Sequence, residues 1–208
     1  MWEVAGMINV DWLGFSIASA ALVLAPGPGS LFVAKSAATG HARAGLMAML
    51  GIVVGDACLI LLSLLGVSAL FLAQPVLFHV IRLAGAGYLI FLGLQWIFSR
   101  PKKALDIGRV HSLPFRRAVS IALLNPKSVF FFMAFFPVFI RSPENGLVFA
   151  YAVMTVMFMM ISATYLSFLS LASSRLALAF QQNRTLQSVA RKLCGFVFIG
   201  FGLKVATA

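Results

Sequence analysis

The sequence predicts an all-α integral membrane protein in which six transmembrane helices form two inverted three-helix repeats. Of its 208 residues, 62% are apolar and 10% are charged, whereas a soluble domain has about 45–50% apolar and about 25% charged residues. The apolar residues fall into six segments, each near or above the roughly 17–25 residues that a spanning helix needs. A weak internal repeat is the third observation. The predicted spans are residues 12–34, 46–73, 76–98, 118–140, 146–173 and 190–207.

The first span is interrupted by Pro26, Gly27, Pro28 and Gly29. Two prolines within three residues remove backbone donors and clash with the preceding turn, so the helix must break there. A bilayer has no water to satisfy the freed carbonyls, and such a break is tolerated only where it is buried in protein or lines a wet cavity. In transporters that place is often the substrate site. We therefore expect these four residues to bind substrate.

The second span contains Asp56 together with Gly51 and Gly55. An ionisable residue within a span is a candidate for function because its insertion is unfavourable. Desolvation disfavours the charged form of a carboxylate, so Asp56 could load and release a proton, or it could accept hydrogen bonds between helices as a purely structural residue. The two glycines form a small-xxx-small pair suited to helix packing, although glycine is also generally frequent in membrane helices.

An internal repeat relates the two halves of the chain. Residues 82–85 match residues 192–195 at an offset of 110, and residues 24–26 match residues 124–126 at an offset of 100. Halves of three spans each must lie antiparallel in the membrane, as in many secondary transporters. Gly85 belongs to the repeated motif, and we expect it to support helix packing. The predicted layout is one transporter domain, 1–208, with repeat one at 12–98, a cytoplasmic loop at 99–117 and repeat two at 118–207.

The fourth span contains the second proline motif, Asn125, Pro126 and Lys127. Pro126 predicts another helix break, and Asn125 can satisfy the backbone groups that it frees. Lys127 could neutralise Asp56 or hold an anionic substrate group, or it could extend toward the lipid headgroups. A zwitterion would find its anionic partner in Asp56 and its positive partner in Lys127 or in the N-terminus of a half-helix.

The basic residues predict the orientation of the chain. Twelve Lys and Arg side chains flank the odd-numbered connections and three flank the other side, so both termini are expected to be periplasmic. The formal net charge of +11 does not indicate nucleic-acid binding, because the basic residues lie between long apolar segments. The long loop is interpreted as an anchor for anionic lipid.

Several classes of chemistry lack their residues in this sequence. No metal-ligand spacing such as CxxC is present, and no phosphate-binding glycine loop occurs. The histidines, at 41, 79 and 111, sit at loop or interfacial positions rather than deep in a span where one could pair with a serine. We therefore expect no catalytic residue, no metal and no cofactor. A channel-like pore for small solutes stays open as an alternative, although no repeat that would form a ring of filter carbonyls is visible.

Four ordered motifs carry a resemblance to a known family. They are residues 26–28, residues 51–56, residues 85–89 with Gly93, and residues 125–127 followed by the Phe136-Pro137 pair. Together they resemble the LysE/RhtB family of bacterial amino-acid exporters over essentially the whole chain. Within that family the sequence is most similar to the leucine exporter branch, through residues 55–57, 74–78, 125–127 and 165–169.

The resemblance implies efflux of neutral amino acids, leucine-like above all, by proton antiport across the bacterial inner membrane. It places substrate binding at the two proline motifs and proton coupling at Asp56. The chain departs from the family in having Gly29 where Asn is common and Val138 where Gln is common. Threonine, homoserine or a basic amino acid therefore stays open as the substrate. The implied partners are an amino acid, protons, membrane lipid and, in some arrangements, a second copy of the chain.

Overall fold

The computed structural model describes residues 10–25, 27–73, 75–98, 113–140, 146–172 and 183–207. Apart from an isolated bridge between Val10 and Ile140, the regular structure of these residues is helical, which confirms the all-α class. The part of the chain from 99 to 112, most of the predicted long loop, lies outside them. The helices are α1 (Trp12–Leu24), α2 (Pro28–Ala73), α3 (Pro75–Phe98), α4 (Pro114–Leu124), α5 (Pro126–Phe139), α6 (Leu147–Leu171) and α7 (Arg184–Ala206).

Helix α2 is a hairpin rather than one straight rod. His41 has a φ of 64°, in the left-handed region that side chains other than glycine rarely adopt. A Cβ built on Gly45 would lie 2.7 Å from that of Ala37, whereas eight residues of straight helix span about 12 Å. The chain therefore reverses at His41, and a first arm, Pro28–Thr39, packs against a second arm that runs from His41 to the end of α2.

This hairpin corrects one feature of the sequence prediction. The sequence places a connection at residues 35–45, between the first two spans, but the structure continues the helix to Thr39 and restarts it at His41. The reversal needs only a change in backbone angle at His41, so it leaves almost no loop. Similarly, α4 begins at Pro114 rather than 118, because proline is well suited to the first position of a helix.

Helices are interrupted at both proline motifs. Helix α1 ends at Leu24, and its axis and that of the first arm differ by 53°; Ala25 between them is extended, with a ψ of 123°. Pro26 itself lies outside the described residues. The second interruption is a single residue, Asn125, whose ψ of 108° separates α4 from α5. Both breaks therefore consist of an extended residue followed closely by a helix that starts with proline.

Length and composition identify two described helices that can cross a membrane alone, His41–Gly66 and Leu147–Leu171. The bent pair of α1 and the first arm forms a third span if it is taken as one. Large apolar side chains, including Leu65 and Phe168, are two-thirds exposed on these helices, as expected for surfaces that contact lipid. The arrangement of six spans in two repeats stays a prediction.

The second arm of α2 sets the direction of its neighbours. Gly51 faces Phe115 and Ala118 of α4, and Gly55 faces Ala122, so the two helices run parallel. The same arm runs antiparallel to α6, since Gly45 lies beside Ser170 near one end and Ser63 lies beside Tyr151 near the other. We call the end of the molecule with the His41 reversal the hairpin face. The opposite end, where Val10 pairs with Ile140, is the terminal face.

Two clusters of buried side chains occupy the two ends. An aromatic cluster lies toward the terminal face, and none of its rings is more than 2% exposed. An alanine-rich cluster lies toward the hairpin face. The aromatic cluster comprises Phe15, Phe131, Phe132, Phe135, Phe136, Phe139, Tyr151, Phe158 and Phe198. The alanine-rich cluster comprises Phe32, Val33, Ala34, Ala48, Met49, Ile52, Ala118, Ala122, Leu166 and Leu169.

Candidate functional site

A cavity of about 90 Å³ lies between the two clusters, where α1, both arms of α2, α4, α5 and α6 meet. Most of its walls are apolar, with polar side chains from α2, α5 and α6 and from Asn125 between α4 and α5. Both helix interruptions contribute to its wall. The lining residues are Leu22, Val23, Ala25, Gly27, Pro28, Gly29, Ser30, Ile52, Asp56, Ile121, Ala122, Asn125, Ser128, Phe131, Phe132, Phe158, Ser162 and Leu166.

Two helix N-termini border the cavity. In α2 the first backbone bond within the helix joins Leu31 N–H to the Gly27 carbonyl at 3.0 Å, and in α5 it joins Val129 N–H to the Asn125 carbonyl at 3.1 Å. The earlier N–H groups of each first turn have no acceptor within their own helix. Such groups, with the positive end of the helix dipole, attract anions.

The two N-termini approach the cavity from opposite ends of the molecule. The first arm of α2 is antiparallel to the second arm, which runs parallel to α4. Contacts of the second arm continue from Ala122 of α4 to Phe132 of α5, so α5 keeps the direction of α4. The first arm and α5 are therefore antiparallel. Because both start beside the same cavity, their positive ends converge on it.

Asp56 supplies the carboxylate of the cavity wall. It is 8% exposed, and its neighbour Gly55 packs against Ala122 so closely that a Cβ there would approach within 2.5 Å. Within the described part of the chain Asp56 makes no hydrogen bond and no ion pair. A buried carboxylate without a partner is unfavourable, so the site is built to receive a proton or a cation.

The first turn of α2 is held by its own capping serine. Ser30 Oγ accepts a hydrogen bond from the Gly27 N–H and donates to the Gly27 carbonyl, both at 3.1 Å. This pair fixes the chain where it enters α2. Gly29, two residues later, lies against Ile52 of the second arm, so that a Cβ on it would be 3.2 Å from the Ile52 Cδ1. A side chain at Gly29 would therefore have to shift the end of the Ile52 side chain.

The structure brings together many of the residues that the sequence singles out. Gly27, Pro28, Gly29, Asn125 and Asp56 all line the one cavity. Gly51 and Gly55 lie against α4 outside it, and Gly85 is buried in α3. Pro26 and the side chains of Pro126 and Lys127 lie outside the described part of the structure. Pairing of Lys127 with Asp56 therefore stays a prediction.

Sequence reasoning missed the wall that α6 contributes. Phe158, Ser162 and Leu166 line the cavity from successive turns of that helix, and Ser162 is only 4% exposed. Ser30 and Ser128 were missed on the other side. The signal in the sequence is weak, since a small hydroxyl residue within an apolar helix is common and carries no indication of which face it occupies.

The arrangement can hold a small zwitterion. The carboxylate of Asp56 matches an ammonium group, the converging N-termini match a carboxylate, and the apolar walls match an aliphatic side chain. Within the described residues no group of three or more His, Cys, Asp or Glu side chains could hold a metal ion. Two interrupted helices that present their N-termini to a partly polar cavity are typical of membrane transporters.

Comparison with known proteins agrees with that class. Residues 20–208 match the LysE type translocator family. An uncharacterized membrane protein of Pseudomonas aeruginosa is 38% identical over 196 residues, which cover 90% of each chain. Leucine efflux proteins of Salmonella choleraesuis and Klebsiella pneumoniae are 32% and 30% identical over 213 and 211 residues, covering 100% of this chain and 99% of each relative. No solved structure matches the chain.

The chain belongs to the LysE type translocator family. It is a multi-pass membrane transporter and not an enzyme, as the sequence predicts. The family resemblance drawn from the four ordered motifs is thereby confirmed.

Proposed function

We propose that this protein exports neutral amino acids, leucine and related aliphatic ones above all, across the inner membrane in exchange for protons. The observation that carries the proposal is the buried carboxylate of Asp56, which has no partner among the described residues and lies in a cavity bordered by two helix N-termini. Family membership supports transport, and the names of the Salmonella and Klebsiella relatives support leucine as cargo.

The cavity chemistry gives each part of the substrate a partner. The α-ammonium group binds Asp56, and the carboxylate binds the amides at the starts of α2 and α5, where helix dipoles favour negative charge. The aliphatic side chain then lies against apolar wall residues such as Phe131 and Leu166. A basic side chain would need a second carboxylate, and the described lining contains none besides Asp56.

Asp56 couples the proton flux to the amino-acid flux because its carboxylate can either bind a proton or pair with the ammonium group of the substrate. Once protonated, it no longer forms the full ion pair. A proton that arrives when the cavity is open to the periplasm displaces the substrate. Loss of that proton when the cavity is open to the cytoplasm restores the charged carboxylate for the next amino acid. Charge neutralisation at one side chain is sufficient for exchange.

The distribution of basic residues supports a periplasmic position for the termini, and therefore for the terminal face. In that orientation the aromatic cluster separates the cavity from the periplasm. The alanine-rich cluster separates it from the cytoplasm. Alternating access requires each cluster to open in turn.

The test is transport by the purified full-length protein in proteoliposomes. Vesicles loaded with radiolabelled leucine, threonine or lysine are given a pH gradient of either sign. We expect saturable leucine movement that reverses with the gradient, and weaker movement of lysine. Movement that does not saturate would indicate a pore, and no movement of any amino acid by folded protein would overturn the proposal.

The variant Asp56→Asn tests the coupling residue. It removes the charge and keeps the shape, so gradient-driven leucine transport should fall at least about 100-fold, since a close charge pair contributes several kcal/mol. Asp11→Asn is the matched control, because Asp11 lies at the terminal face beside Lys204 and outside the cavity, and it should keep wild-type coupling. Wild-type coupling in Asp56→Asn would remove Asp56 from the mechanism.

A further inference from the structure

We propose that Ser162 of α6 is a substrate-binding residue, whose hydroxyl donates a hydrogen bond to the carboxylate of the amino acid. This inference rests on the proposed function, in which the cavity holds a zwitterion. Ser162 is 4% exposed and lines the cavity between Phe158 and Leu166. It is the polar group that α6 contributes to that wall.

The hydrogen bonding of Ser162 differs from that of its neighbours on α6. Thr155, Thr164 and Ser170 each donate to the carbonyl four residues earlier, at 2.6, 2.7 and 2.8 Å. This local bond is the usual way in which a hydroxyl in an apolar helix is satisfied. Ser162 makes no such bond, and it makes no other hydrogen bond within the described part of the structure.

Other serines show that a missing partner alone does not define a site. Ser19 and Ser36 are enclosed without a hydrogen-bond partner among the described residues, but neither lines the cavity. Ser167 of α6 also lacks a local bond, but it is half-buried and lies away from the cavity. Ser162 alone among these four combines burial, an unused donor and a position on the cavity wall.

The register between α6 and the second arm shows how far Ser162 lies from each end of the molecule. Gly45 lies beside Ser170 and Ser63 lies beside Tyr151, so Ser162 falls at the level of Ile52. Asp56 lies one turn, about 5.4 Å, nearer the terminal face.

Ile52 is also the residue that contacts Gly29 in the first turn of α2. Ser162 therefore shares a layer with the anion-attracting N-terminus of α2, whereas Asp56 occupies the next layer. This separation assigns the hydroxyl to the carboxylate of the substrate and leaves the ammonium group to Asp56.

The first test compares Ser162→Ala with Thr164→Ala in leucine exchange by proteoliposomes. Loss of a hydrogen bond to a charged group should raise the leucine KM about tenfold, with kcat little changed, and Ser162→Thr should restore it. Thr164 is exposed and bonded to its own helix, so Thr164→Ala should match the wild type. An unchanged KM in Ser162→Ala, with active wild-type transport, would overturn this inference and leave the proposed function intact.

Leucinamide separates carboxylate binding from a structural role. It keeps the ammonium group and the side chain but has no carboxylate. Leucine should inhibit exchange by the wild-type protein at lower concentrations than leucinamide does. In Ser162→Ala the ratio of the two affinities should fall about tenfold, because only the affinity for leucine is lost. Equal losses for both compounds would assign Ser162 to packing instead.

A labelling experiment tests whether leucine binds beside Ser162 without a measurement of transport. Ser162→Cys and Thr164→Cys are made in a background in which Cys58 and Cys194 are serine, and a water-soluble thiol reagent is added. We expect Ser162→Cys to react, leucine to slow that reaction, and Thr164→Cys to react slowly with or without leucine. If the wild type moves no amino acid, the proposed export function fails. Protection of Ser162→Cys by leucine would still support the inference that leucine binds beside Ser162. Absence of labelling or of protection would overturn the inference.

Discussion

The two ends of the cavity are closed by different kinds of contact. Toward the terminal face, aromatic rings from four helices interlock: Phe131 stacks on Phe135 with centroids 4.1 Å apart, and Phe15 lies 5.4 Å from Phe135. Toward the hairpin face, helix backbones approach each other directly. A Cβ on Gly55 would lie 2.5 Å from the Ala122 Cβ, and one on Gly51 would contact the Phe115 carbonyl oxygen.

This difference predicts how each end can open. Aromatic rings can move apart by changes of side-chain rotamer while the backbone stays in place. Helices that touch at glycine and alanine can separate only as rigid bodies, because no side chain lies between them to move. The terminal face should therefore tolerate changes that the hairpin face does not, and substitutions at each end test the comparison.

The largest effect is expected for Gly51→Leu. The new side chain would meet the carbonyl of Phe115 and the Cβ of Ala118, and neither the backbone nor a methyl group can move out of its way. Overpacking destabilises by about 1–3 kcal/mol where neighbouring groups can adjust. Here only a displacement of the whole of α4 from the second arm could make room, so the loss should exceed that of truncating one core side chain. Folded protein, measured by size-exclusion chromatography in detergent, should be almost absent.

The matched control is Gly66→Leu in the same helix. A Cβ on Gly66 would find nothing within 4 Å in the described part of the structure. This variant should fold and transport leucine as the wild type does. If both variants fold equally well, the close contact of α2 with α4 is not a constraint, and the contrast between the two ends fails.

A smaller effect is expected for Phe135→Ala in the aromatic cluster. Phe135 is fully buried and its ring contacts those of Phe15, Phe131 and Phe139. Truncation of a buried phenylalanine destabilises by about 3–5 kcal/mol, but the backbone can keep its path. We expect a lower melting temperature in detergent, with folded protein still recovered and still able to exchange leucine.

Phe168→Ala provides the comparison for that variant, since Phe168 is 67% exposed on α6 and faces the side where lipid is expected. Its melting temperature should change little. If the Phe135→Ala protein fails to fold, the aromatic cluster tolerates substitution no better than the glycine contacts do, and the contrast between the two ends is lost.

The sequence was sufficient for the parts of the site that involve proline. The two proline motifs predict helix interruptions. In the structure one helix begins at Pro28 and another at Pro126, and both interruptions lie beside one cavity with Asp56. The sequence predicts a connection at residues 35–45 but not that the chain reverses at His41 alone, because this reversal depends on one backbone angle and not on a run of polar residues. A reversal this tight leaves almost no residues outside the helix, so no distinctive run of residues marks it in the sequence.

The contribution of α6 was missed for a different reason. That helix is apolar on all sides, so hydrophobic periodicity does not distinguish the face toward protein from the face toward lipid. Phe158 and Phe168 look alike in the sequence, yet one is buried beside the cavity and the other is exposed. Only packing against the second arm of α2 shows that Ser162 belongs to the site.

The smallest effect is expected for Ser63→Ala, at the boundary between the cavity and the aromatic cluster. Ser63 Oγ donates to the Phe132 carbonyl at 3.0 Å and lies 3.4 Å from the Tyr151 hydroxyl, so it links the second arm to α5 and α6. Hydrogen bonds between membrane helices contribute about 0.6 kcal/mol on average, which corresponds to a fall in melting temperature of about 2 °C. Ser120→Ala, which removes only an exposed bond within α4, should cause no measurable fall. If Ser63→Ala instead destabilised the protein as much as Phe135→Ala, a polar link and not interlocked rings would close the terminal face, and the two ends would differ in a way other than the one argued here.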